Sequence, residues 1–157
     1  MSNQIPSQQG PYRPARKRSI IGPMVLVLAG LLGVASVFLP LASAMGTDFT
    51  YFTEGVYGSS EATIRGVAFV LLVAFALILI LGILAAAARK GPVYIIAGIF
   101  AVLGGAIGAI QAFGGMSQAS QLGAGGIVGI GVYATAAASV LALVGAVIMF
   151  ATARRPR

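Results

Sequence analysis

Four stretches of this chain, residues 20–39, 66–88, 92–113 and 126–152, are apolar and carry no charged side chain. Crossing the hydrocarbon of a bilayer takes about 20 consecutive apolar residues in a helix. None of the four alternates polar and apolar residues as a barrel strand does. Lipid satisfies no exposed backbone group, so helices are the expected spanning form. The expectation is an all-α integral membrane protein, a four-helix bundle running up-down-up-down. Charged residues make up 8% of the chain, against roughly 25% in soluble domains. There is no Cys and no His. That excludes thiol nucleophiles, disulfides, haem attachment, ordinary zinc or iron sites and a Ser-His-Asp triad. No cofactor and no metal are expected, and the chain reads as a non-enzyme.

Local residues punctuate the spans. Pro23 falls in the first turn of span one, where its missing N–H costs little. Pro40 ends that span, and Gly91-Pro92 closes span two and opens span three at once. So short a turn makes those two helices antiparallel neighbours. Residues 114–125, neutral and rich in Gly, Ser and Gln, read as a flexible loop.

Orientation follows from the cations. Arg13, Arg16, Lys17 and Arg18 precede span one, Arg89 and Lys90 separate spans two and three, and Arg154, Arg155 and Arg157 follow span four. The acids Asp48, Glu54 and Glu61 all fall on the other side. The positive-inside rule then places both termini in the cytoplasm and the protein in the cell membrane. Arg16, Lys17, Arg18, Arg89, Lys90, Arg154 and Arg155 are expected at the anionic headgroups of the inner leaflet, each contributing about 1 kcal/mol. Those lipids are the expected partners of the net charge of +7. No motif supports nucleic-acid binding.

Residues 1–18 read as a disordered basic tail, 19–153 as the membrane domain with an outer loop at 41–65, and 154–157 as a second basic tail. A competing reading takes span one as a leader cleaved after Ala42-Ser43-Ala44. Its apolar run of about 20 residues exceeds the usual 7–15 of a leader core.

Small residues recur at helical spacing. Span three carries Ala97, Ala101, Gly105 and Ala109 in one row, and Gly104, Gly108 and Ala112 beside it. Gly104 and Gly108 form a GxxxG, which lets helix backbones approach closely. Span four carries Thr135, Ser139, Ala142 and Ala146, and span one offers Ala29, Gly30 and Gly33. Ala101, Gly104, Gly105, Gly108, Thr135, Ser139 and Ala142 are therefore the expected packing seam. The seam holds one chain's bundle together or forms an interface with a partner or a second copy. Spans three and four should sit centrally, and bulky span two should face lipid most. Thr135 and Ser139 are expected to bond their own helix's i−4 carbonyls, and Gln111 to bond across helices.

The outer loop combines aromatics, acids and β-formers. It predicts a short hairpin turning near Glu54-Gly55, or a segment lying on headgroups with Tyr51 and Tyr57 as anchors. Glu61 and Arg65 are spaced for an i, i+4 ion pair. Asp48, Tyr51, Glu54, Tyr57 and Glu61 form a candidate partner patch.

Proton- or cation-coupled transport usually leaves an ionisable residue inside a span, and none is present. That sets the chain apart from the proteolipid subunits of vacuolar-type rotary ATPases and from small multidrug exporters. Phe38-Leu39-Pro40, a short outer loop, Gly129-Ile130-Gly131-Val132-Tyr133, and Leu143-Val144-Gly145-Ala146 before Arg154-Arg155 resemble small four-span proteins of actinobacteria. Where those proteins often carry Trp after Leu-Pro, this chain has Leu41. The resemblance implies a cell-envelope location. The expected function is that of a non-catalytic accessory protein acting through helix packing and its outer loop. The alternative is an oligomeric facilitator for a small neutral or lipophilic solute, its path lined by glycine faces, Gln111 and Tyr133.

Overall fold

The computed structural model describes residues 19–44, 46–53, 61–121 and 126–153, with backbone alone at 44, 61, 118–121 and 126. Four helices account for most of them: α1 (Ile21–Phe38), α2 (Glu61–Ala88), α3 (Gly91–Gln121) and α4 (Ile130–Ala153). All four are long and apolar enough to cross a membrane. Three short strands lie between them: β1 (Ala42–Ala44), β2 (Thr47–Phe49) and β3 (Gly126–Val128).

The helices close a ring in which α1 packs on α2 and α4, and α3 packs on the same two. The α2–α3 seam is the loosest. Contacts along each seam run in opposite chain order. Gly22 meets Met149 at one end of α1 and α4, and Gly30 and Gly33 meet Leu79 and Phe75 on α2. Gly98 meets Phe150, and Gly115 meets Val132. Sequential neighbours are therefore antiparallel. Leu26, Leu71, Phe75, Ile78, Tyr94 and Met149 fill the core.

Burial is shared differently from the sequence expectation. Helix α2 is the least buried, at 28%, as its bulky residues foretold. The most buried is α1, at 44%, while α3 and α4 stand at 39%. Small residues on α1 admit two neighbours at once. A Cβ on Gly30 would stand 2.6 Å from Leu79 Cβ, and one on Gly145 of α4 would stand 2.5 Å from Leu26 Cδ2.

Helix α3 runs to Gln121, through much of the segment expected to be a loop. Two glycines at about 1 kcal/mol each do not stop a helix that keeps tertiary contacts. Gly115 still faces Val132, and Ser117 Oγ donates to the Gly114 carbonyl at 2.9 Å. Helix α2 starts at Glu61, earlier than residue 66. Its C-terminus is closed by Arg89, whose φ of +49° takes the left-handed position that glycine usually fills. The guanidinium Nε donates back to Ala86 O at 3.4 Å. Gly91-Pro92 opens α3 as expected, with Gly91 buried as its first residue.

A hairpin the sequence reading did not place joins β1 to β2 beside Gly46, whose φ is +79°. The turn expected near Glu54-Gly55 lies outside the described residues. Strand β1 pairs antiparallel with β2, Ser43 opposite Asp48, and with β3, Ser43 opposite Ile127. The order β2-β1-β3 makes β1 the centre of a three-stranded sheet. The run Ala42-Ser43-Ala44 is thus bonded along both edges. Residues 126–128, read as the start of span four, form the third strand.

Candidate functional site

The packing seam is intramolecular. All seven of Ala101, Gly104, Gly105, Gly108, Thr135, Ser139 and Ala142 are buried within one chain. The two glycines of the GxxxG point at α2: a Cβ on Gly104 would stand 2.7 Å from Ile78 Cδ1, and one on Gly108 would stand 2.9 Å from Phe75 Cζ. The Gly108 Cβ would also meet Ser139 Oγ, and Gly105 faces Leu143 and the Ser139 carbonyl on α4. In the single chain, the bundle's own helices fill this face.

A buried hydroxyl relay crosses the α1–α4 seam. Thr135 Oγ1 lies 2.9 Å from both Gly131 O and Ser36 Oγ, so its single proton is shared between two acceptors. Ser36 sends its own proton to Gly33 O at 2.7 Å, and Ser139 sends its proton to Thr135 O at 2.8 Å. The i−4 bonds of Thr135 and Ser139 match the sequence reading. The Ser36 partnership is new. Residues 99 positions apart carry no local signal of contact.

Two further long-range anchors were not legible in the sequence. Tyr94 is fully buried on α3, and its hydroxyl donates to Ser19 O at 3.1 Å, tying the start of α1 to α3. At the sheet end, Gly131 N–H donates to Pro40 O at 2.8 Å and Gly129 N–H to Leu41 O at 2.7 Å. A Cβ on Gly131 would stand 2.8 Å from Pro40 O. The Leu39-Pro40 and Gly129-Ile130-Gly131 motifs therefore touch. The glycines let the chain after α1 lie against the start of α4 and satisfy an N–H of its first turn.

The outer-loop patch is not assembled among the described residues. Asp48 is exposed on β2 and accepts a hydrogen bond from Ser43 Oγ at 2.5 Å. Tyr51 is 7% exposed and belongs to the core, which corrects its reading as a surface anchor or partner contact. An aromatic on this short loop gains more by covering the bundle's end than by facing water. Glu54 and Tyr57 lie outside the described residues, as does the side chain of Glu61 that would pair with Arg65. The rim instead presents a ladder of three phenylalanines. Phe38 stacks on Phe52 at 5.9 Å, and Phe52 meets Phe69 edge-on at 6.4 Å.

Of the expected headgroup cations, Arg89 and Lys90 are exposed at the α2–α3 turn, while Arg16, Lys17, Arg18, Arg154 and Arg155 lie outside the described residues. Gln111 makes no cross-helix bond among the described residues. It lines a cavity of about 340 Å³ with Thr63, Gly66 and Val67 on the α2–α3 flank. Tyr133, 56% exposed on α4, does not line that cavity. Within the single chain, the two polar groups of the facilitator reading do not line one cavity.

No family model matches the chain, and neither the curated proteins nor the solved structures contain a match to it.

Proposed function

We propose that the chain is a non-catalytic accessory protein of the cell membrane, with both termini cytoplasmic. It works by association at its non-cytoplasmic rim with a protein partner or a further copy of itself. One observation carries this reading. Phe38, Phe52 and Phe69 form a contiguous ladder at the sheet end yet remain 59%, 37% and 58% exposed. Phe52, the middle ring of the ladder, lies outside the spans, where an exposed aromatic favours a docking surface over a merely wetted one. The sheet holds the loop in place, and no carboxylate is buried among the described residues. The exposed Arg89 and Lys90 at the opposite end support the cytoplasmic assignment of that end.

The test is a photo-crosslinking residue at position 52 in native membranes. A discrete adduct with one protein, or with a second copy, is expected, and Phe38→Ala should weaken it. Lipid adducts alone, combined with solute flux through the purified protein in liposomes, would replace this reading with the facilitator.

A further inference from the structure

The loosest seam of the ring opens sideways. A second cavity of about 460 Å³ lies between α2 and α3, walled by Phe69, Val73, Leu77, Phe100 and Leu103. It shares Val70 and Ile107 with the cavity that Thr63 and Gln111 line. The two are one groove. At ~1.5 Å per residue, the stretch from residue 100 to 111 on α3 is about 16 Å long and that from 63 to 77 on α2 about 21 Å. One leaflet of hydrocarbon is about 15 Å deep. Below its polar end the groove is apolar throughout. At that end neither Thr63 nor Gln111 has a side-chain hydrogen bond among the described residues; Thr63 is exposed at the start of the α2 span, and Gln111 lies half-buried six residues inside the end of the α3 span. An amide without a partner at that depth costs free energy.

We propose that this groove binds one phospholipid from the leaflet on the sheet side. An acyl chain lies between α2 and α3, and the glycerol ester carbonyl accepts hydrogen bonds from the Gln111 amide and the Thr63 hydroxyl. Length, the single polar end and the donors there match an amphiphile. The site rests on the membrane placement proposed above and not on the partner at the aromatic rim. Bound lipid fills the seam that the protein's own side chains leave loosest.

The test is native mass spectrometry of the full chain. The protein is extracted from vesicles of phosphatidylethanolamine and phosphatidylglycerol in a mild detergent. Wild type should keep one phospholipid per chain through detergent exchange. Val73→Phe places a ring in the groove from a position 56% exposed, clear of the core, and should abolish retention. Gln111→Leu should lower retention about threefold, the weight of one hydrogen bond in lipid. Tyr133→Leu, away from the groove, should leave it unchanged. A lipid-free wild type, retention equal in all variants, or a free fatty acid or second chain in the groove overturns the proposal. If the chain is absent from the membrane fraction, the membrane placement fails as well. If it is present there but lipid-free, only the lipid site fails.

Discussion

Gly30→Ala tests the packing of α1 against α2 directly. The added Cβ would stand 2.6 Å from Leu79 Cβ and 2.7 Å from Leu79 Cα and N. Two of these three atoms are backbone, so no side chain can swing away. Carbon atoms rest about 3.5–4.0 Å apart, so the two helices must part by about 1 Å locally. A gap of that size forfeits roughly a quarter to a half of each dispersion contact along it. Overpacking of this kind costs about 1–3 kcal/mol. Alanine returns about 1 kcal/mol through helix propensity, leaving a net loss of up to about 2 kcal/mol. For a chain of this size, that lowers Tm by up to about 8 °C. Gly114→Ala is the matched control. It is also in a helix, and a Cβ there meets nothing within 4 Å, so it should gain up to about 1 kcal/mol. Thermal unfolding in lipid–detergent micelles, followed by circular dichroism, reads both. Gly114→Ala must melt above Gly30→Ala. A Gly30→Ala protein that gains as much as Gly114→Ala would refute the close-packed seam. A Gly114→Ala protein that gains nothing would refute the extension of α3 past residue 113.

Two further expectations follow. Ser36→Ala and Thr135→Val, combined in a double-mutant cycle, should show a coupling of about 0.6 kcal/mol and no more than about 1.7; strictly additive losses would mean that the hydroxyls do not communicate across the α1–α4 seam. Because the chain has no native Cys, single Thr47→Cys and Lys90→Cys variants report orientation cleanly. A membrane-impermeant maleimide should label position 47 on intact cells and position 90 only after permeabilisation, and the reverse pattern would invert the protein.

Four uncharged apolar runs, a Gly-Pro turn and the one-sided cations were legible in the chain, because bilayer thickness sets a length and charge exclusion sets a composition that local residues must meet. Small rows on α3 and α4 showed where backbones approach. They did not show whether the approaching helix belonged to the same chain, since GxxxG reads alike in both settings. Only the closed ring decided that Gly104 and Gly108 face α2. Likewise, Ser36 with Thr135, Tyr94 with Ser19, and Pro40 with Gly131 are pairings 99, 75 and 91 positions apart, set by how the helices stack. Periodicity along one helix carries its face but not its neighbour. The sheet is the extreme case. Its central strand pairs with β2 in its own loop and with β3 from the loop before α4, and nothing in the first loop points to that second partner.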